Sequence, residues 1–253
     1  MSFKTKTEPY GIADGTAIVI LSTTGGESAT NTEAIGEDGS VVANTVTGVT
    51  SAPSAELALK ADIENDDGDW NLGAVTTSNT KKFALESIRI STAAGSAPKI
   101  SISGKQVQAD AETGCIYPVP AFVLLKKHHA QILFSAFTLS GTGCHLISAE
   151  YVISGTINLV TKDNEVIGFD IIQGKIEVTI TVKQCGTTAP TLAAGTGFQV
   201  TSPLAESNPD AEYPTFQATL TCYLEKDEPA EQNAQAATQS ATPAATPTNT
   251  QGA

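Results

Sequence analysis

Ten residues near the carboxyl end, TFQATLTCYL at 215–224, alternate without a break. Phe216, Ala218, Leu220, Cys222 and Leu224 fall on one side, and Thr215, Gln217, Thr219, Thr221 and Tyr223 on the other. A period of two is the geometry of a half-buried β-strand; wound as a helix, the same residues would scatter around the axis. KIEVTITVK repeats the pattern, with Ile176, Val178, Ile180 and Val182 facing inward and Lys175, Glu177, Thr179, Thr181 and Lys183 outward. YVISGTINLV places Tyr151, Ile153, Ile157 and Leu159 on one face. The following TKDNE supplies Asp163-Asn164, a pair that tolerates positive φ in a tight turn, before VIGFDII resumes. Residues 151–172 therefore read as a long hairpin. Further strands are expected at TAIVILS, VVANTV, AELALKADI, FALESIRIS and KISISG. The expected class is all-β, mainly antiparallel, as a β-sandwich or barrel.

One stretch breaks the pattern. AFVLLKKHHAQILFSAF, 121–137, follows Pro118 and Pro120, precedes Gly141 and Gly143, and contains neither residue type itself. Wound at 100° per residue, it gathers Phe122, Leu125, Ile132, Leu133, Ala136 and Phe137 on one face and Lys127, His128, Gln131 and Ser135 opposite. A single α-helix over 121–137, packed on a sheet, is the expectation. From about Glu225 the chain loses its aromatic and β-branched aliphatic residues and becomes rich in Ala, Thr, Gln and Pro. Such a segment cannot bury enough apolar surface to offset the entropy of ordering. The chain thus divides into a β-rich structural domain at 1–224 and a disordered tail at 225–253. A second soft segment, ENDDGDWN at 64–71, reads as a loop within the folded part.

The formal net charge of -13, from 27 acidic and 14 basic residues, repels phosphate backbones and anionic membranes. The opening MSFKTKTEPYG has no apolar run resembling a signal peptide, and no stretch of about 18 apolar residues occurs anywhere. These features lead to the expectation of a soluble protein made in a cytoplasm. Cys115, Cys144, Cys185 and Cys222 are far apart, with no C-x-x-C pair and no histidine at finger spacing, which reads as reduced thiols rather than a zinc site or a disulfide frame.

The candidate chemistry is thin. His128 and His129 are adjacent, so on a helix their rings diverge by 100° and cannot close on one metal as an i,i+4 pair can. Cys144 and His145 suggest a dyad, but neighbours on a strand point to opposite faces. Placing Gly68 at the sixth position of a calcium loop puts Ile63 first and Ala74 twelfth, where carboxylates are needed, so Asp66, Asp67 and Asp69 read as a solvated turn. Trp70, the sole tryptophan, reads either as an exposed binding aromatic or as an anchor for that loop. Gly141-Thr142-Gly143 lacks the third glycine of a dinucleotide loop because position 146 is Leu; no G-x-x-x-x-G-K or G-x-S-x-G occurs, and Glu177 has no evident carboxylate partner. The expectation is no catalytic residue, no metal ligand, no cofactor and no enzyme.

A β protein of this kind works by contact, and its hydroxyl-and-charge outer rows suit a polar interface between copies. The layout resembles bacteriophage virion proteins, above all tail-tube subunits. The features that carry the resemblance are the leaderless chain, the β-rich body at 16–224, the single helix at 121–137, and YVISGTINLVTKDNEVIGFDII followed by GKIEVTITVKQ. The resemblance implies a self-assembling structural subunit, a homo-oligomer stacked as rings or a tube beside other virion proteins. It further implies a lumen that DNA passes without specific binding, no membrane partner, and a virion location after synthesis in the host cytoplasm. The Ala/Thr/Pro tail fits a capsid-decoration or fibre protein equally. A carbohydrate-binding β-sandwich is the rival from another class, disfavoured because one Trp and five Tyr are few for the aromatic platform such modules use.

Overall fold

The structure is a computed structural model. It describes residues 18–35, 41–65, 70–78, 81–107, 115–127, 130–162, 165–207 and 213–227. Among the described residues thirteen strands run in chain order: β1 Ile18–Ile35, β2 Val41–Leu59, β3 Ile63–Asn65, β4 Val75–Ser78, β5 Lys81–Ala93, β6 Ser96–Val107, β7 Phe122–Leu124, β8 Phe137–Ser140, β9 Cys144–Lys162, β10 Glu165–Gln184, β11 Thr191–Ala194, β12 Gln199–Glu206 and β13 Thr215–Tyr223. Nine of them form one sheet in the order β1-β2-β6-β5-β9-β10-β13-β12, with β4 added to β5. Its strand pairs are all antiparallel, and β3-β7 and β8-β11 make two small ribbons of the same kind. The all-β class and a sandwich-like arrangement are thus present: the sheet curls until β10 comes back against β2 and β6.

The alternation in the sequence becomes rows that cross the whole sheet. Ile20, Leu57, Ile100, Ile90, Tyr151, Val178, Leu220 and Val200 stand in register, one residue from each of eight strands. All but the last, on the edge strand, are buried. The next inward row holds Ala55, Ile102, Ile88, Ile153, Ile176 and Cys222. Between them lies an outward row of Ser22, Glu56, Ser101, Arg89, Val152, Glu177, Thr221 and Gln199. Each fully buried Ile or Leu contributes about 1.5–3 kcal/mol, against about 1 kcal/mol net for a hydrogen bond, so side-chain burial decides the register.

The expected helix at 121–137 is not there, and among the described residues there is no helix at all. The segment instead gives β7, an irregular stretch, and the start of β8. Gln131, which a helical wheel turns outward, is buried, while Ile132, which the wheel turns inward, is 48% exposed. Phe134 and Ser135 adopt φ of 59° and 48°, left-handed conformations that end any right-handed helix. Compensation comes from side chains. The Gln131 amide donates to the Leu125 carbonyl at 2.9 Å, and its oxygen accepts from the Leu125 N–H at 3.2 Å. The buried Tyr151 hydroxyl donates to the Gln131 carbonyl at 2.8 Å and accepts from the Leu133 N–H at 2.9 Å. A non-helical strip is therefore nailed to the inward row of the sheet, and it covers that face as a helix would.

An aromatic ladder reinforces the strip. Trp70 meets Phe122 at 6.3 Å, Phe122 meets Phe134 at 5.2 Å and Phe134 meets Tyr151 at 5.7 Å, each edge to face. Such pairs contribute about 0.5–1.5 kcal/mol beyond their burial. Gly195 lets the other flank close: it donates to the Ala136 carbonyl at 2.8 Å, and a Cβ there would lie 1.8 Å from the Ser135 carbonyl oxygen. Glu225, Lys226 and Asp227, assigned by the sequence reading to the tail, still belong to the ordered body. Asp227 exchanges backbone hydrogen bonds with Ile116, and Lys226 Nζ lies 2.7 Å from Asp170. The rest of the expected tail, 228–253, lies outside the described residues, as does the Asp163-Asn164 turn.

Tyr151→Phe keeps the ring but leaves the Leu133 N–H and the Gln131 carbonyl buried without this partner. We expect a loss of about 1–3 kcal/mol in urea unfolding with an unchanged m-value. An unaltered midpoint would show that the strip is held by packing alone.

Candidate functional site

Those residues singled out by the sequence that the structure describes do not converge. His128 and His129 lie outside the described residues, as do Asp66, Asp67 and Asp69. Trp70 is turned into the core at 7% exposure, which settles the choice between exposed aromatic and loop anchor in favour of the anchor. His145 is exposed at the start of β9, whereas Cys144 is half-buried with its thiol directed to the Thr188 carbonyl at 3.7 Å. Cys222 is half-buried, and burial pushes its thiol pKa up, away from the reactive thiolate. None of the four cysteines is in a disulfide. Gly141 and Gly143, at φ of 139° and 71°, form the turn that enters β9. Glu177 sits on the outward row, 3.2 Å from Lys175 Nζ. Among the described residues no three His, Cys, Asp or Glu side chains group as a metal site, and no helix is long and apolar enough to cross a membrane.

What the fold does present is surface. Two further outward rows flank the one already described. One holds Ala58, Lys99, Ser91, Glu150, Thr179, Thr219 and Ser202; the other holds Ser54, Ser103, Ser87, Ser154, Lys175 and Tyr223. Glu56, Glu150 and Glu177 balance Arg89, Lys99 and Lys175, and nearly every remaining position is a hydroxyl. The face is wide, polar and close to neutral. Arg89 donates to Glu150, and Ser91 adds a hydrogen bond to the same oxygen at 3.2 Å. The Arg89 bond holds the Glu150 carboxyl below its usual range, and the pair raises the Arg89 guanidinium in turn.

The second feature is a ribbon. β2 pairs with β6 only over Ser54–Ala58, yet β1 and β2 continue to pair with each other as far as Ile35 and Val41. Among the described residues no strand pairs with the outer edge of β1, with the outer edge of β12, or with the edge of β2 away from β1 before Ser54. Residues 24–53 carry Glu27, Glu33, Glu37 and Asp38 and no Lys or Arg. A two-stranded ribbon is marginal in water on its own, so open edges of this length are a template for pairing.

A contrast elsewhere sharpens the point. Where β9 peels away from β5, Glu86 accepts from the Ile157 N–H at 3.1 Å and Lys105 donates to the Ile157 carbonyl at 2.9 Å. Lys105 and Glu86 are themselves 3.2 Å apart. Side chains thus stand in for the missing strand at that position. The alternation announced the polar face; the register that extends it over eight strands, and the reach of the ribbon past β6, carried no local signal.

Compared with known proteins, the chain matches no family model and no curated sequence.

The Glu150 carboxyl gives the polar face a pH signature. Because its folded pKa is depressed, its contribution is present above the unfolded value and is lost as pH falls through the folded one. Both partners are largely exposed, so solvent screening keeps the magnitude to about 0.5 kcal/mol. Glu150→Gln should therefore lower stability slightly at pH 7, with the gap to the parent closing as pH drops below about 4. A gap that stays constant down to pH 2.5 in thermal melts would contradict this assignment.

Proposed function

We propose that this chain is a non-enzymatic structural subunit that assembles with copies of itself, the β1-β2 ribbon of one copy lying on the sheet of the next. The observation that carries the reading is the ribbon: two long paired strands leave the body with open edges and an acidic sequence. Two such ribbons repel, so a contact in which each meets its own kind across a twofold axis is disfavoured. The balanced hydroxyl face and the open β12 edge offer the partner surface. A contact between unlike surfaces is heterologous, and repeated it closes a ring or extends a tube.

The resemblance to bacteriophage tail-tube subunits makes that the finer form of the proposal. Other virion proteins would be neighbours, and DNA would be a passenger beside an acidic protein rather than a ligand. A capsid-decoration or fibre role uses the same ribbon. A glycan-binding module is weakened by Trp70, whose ring is in the core.

Size-exclusion chromatography with light scattering and negative-stain microscopy test this reading. The full chain is expected to give whole-number multiples of its mass and visible rings or tubes at high concentration. A variant with 27–51 replaced by an Asn-Gly turn should stay monomeric with a melting temperature within about 3 °C of the parent, since the inward rows of the body described above do not include the excised residues. A parent that is monomeric throughout, or a ribbonless variant that assembles as the parent does, would refute it.

A further inference from the structure

The charges of this chain are sorted by position. Among the described residues Arg89, Lys105, Lys175 and Lys226 each face a carboxylate. Lys99, Lys126 and Lys127 are exposed and stand in no ion pair with a described residue. The fold gathers these three at one corner of the sheet, with Lys60 beside them. Lys99 lies on β6 opposite Ala58 of β2, and Lys60 follows two residues after Ala58. Just beyond, β3 pairs with β7, and the Lys126 N–H donates to the Asp62 carboxylate at 2.7 Å, which ties Lys126 and Lys127 to residues 60–62. The carboxylates of this corner among the described residues are Asp62, Glu64 and, one row further along β2, Glu56, which accepts from the Ser22 hydroxyl. Four lysines against three carboxylates leave the corner positive in a chain whose formal net charge is -13.

The acidic counterpart is at the other end of the same hairpin. Residues 24–53 carry Glu27, Glu33, Glu37 and Asp38 and no cation. The 19 residues of β2, at about 3.3 Å each, put roughly 60 Å between Val41 and Leu59, the residue next to the corner. β1 is paired along that length, from Ile35 with Val41 to Ile18 with Leu59. A ribbon therefore cannot turn back onto the corner of its own copy without giving up that pairing, and the unlike ends are brought together between copies. Exposed ion pairs are individually weak, but several of one sign facing several of the other steer encounter and fix orientation. Because unlike ends meet, the contact is heterologous and repeats from copy to copy.

We infer that the corner built from Lys60, Lys99, Lys126 and Lys127 receives the acidic β1-β2 ribbon of a second copy. The inference rests on the reading of the ribbon as the assembling element and adds where the ribbon lands and which way round the copies follow one another. Lys99 belongs to the polar face, in the row of Ala58, Ser91 and Glu150, so a ribbon seated at the corner lies along that face.

Charge reversal in the full chain tests it, with association read by sedimentation and light scattering at low salt. A corner variant carries Lys99→Glu, Lys126→Glu and Lys127→Glu. A ribbon variant carries Glu27→Lys, Glu33→Lys, Glu37→Lys and Asp38→Lys. Each alone is expected to associate about tenfold more weakly than the parent or worse. The corner variant should keep the parent's melting temperature, because its three lysines are exposed. Mixed in equal amounts, the two variants should co-assemble as strongly as the parent, since each presents the sign that the other's surface now requires. Raising the salt to about 0.5 M should weaken the parent and shrink the differences. A corner variant that associates as the parent does, while the ribbonless variant stays monomeric, overturns this inference and leaves the ribbon's role standing. A mixture no stronger than its separate components exposes a general effect of net charge and overturns it as well. A parent that is monomeric at every concentration overturns both readings.

Discussion

The row that runs from Ile20 through Leu57, Ile100, Ile90, Tyr151, Val178 and Leu220 is the constraint on which the rest of the molecule depends. A slip of one residue in β6, β5, β10 or β13 would exchange an apolar side chain of this row for a lysine, arginine, serine, glutamate or threonine on the inner face. Several kcal/mol would be lost per strand, more than any rearranged hydrogen bond returns. Register is thus over-determined across the body, and the polar face is its geometric by-product: whatever the row buries, its neighbours expose. At the ribbon, among the described residues, β1 and β2 pair only with each other.

Irregular segments survive against this sheet because side chains replace backbone partners. Tyr151 belongs to the inner row, yet its hydroxyl holds two backbone groups of the 130–137 strip. Gln131 serves Leu125 in the same manner, and Glu86 with Lys105 serves Ile157. Burial pushes the Tyr151 phenol pKa up, so it stays a neutral donor through the physiological range. These are the positions at which a regular structure was expected and a different one formed.

The division between what could and could not be read from the sequence follows the range of the physics. Strands such as 175–183 and 215–223 were legible because burial on one face writes a period of two directly into the residues. The long hairpin of β9 and β10 was legible for the same reason. The strip at 121–137 was misread because leucine, lysine and alanine favour helices, and nothing local announces left-handed residues at Phe134 and Ser135. Partners distant in sequence, Tyr151 and Gly195, help hold that conformation. The alternation of burial along Phe122-Val123-Leu124 and Gln131-Ile132-Leu133 is not written in the residue types, five of which are apolar. For the surface, the outward hydroxyls were evident, but the ribbon depends on which strands stop pairing and where, a property of the tertiary fold.

Mechanically, the account is of a rigid curled sheet whose function lies in what its edges and polar face touch. Amide hydrogen exchange followed by mass spectrometry, run on dilute and concentrated protein, addresses this most directly. The account predicts slow exchange in β5, β9 and β10 at every concentration, and protection of 24–53 that appears only as copies associate. Ribbon amides that exchange identically in the dilute and associated states, or central strands that exchange as fast as the ribbon, would contradict it.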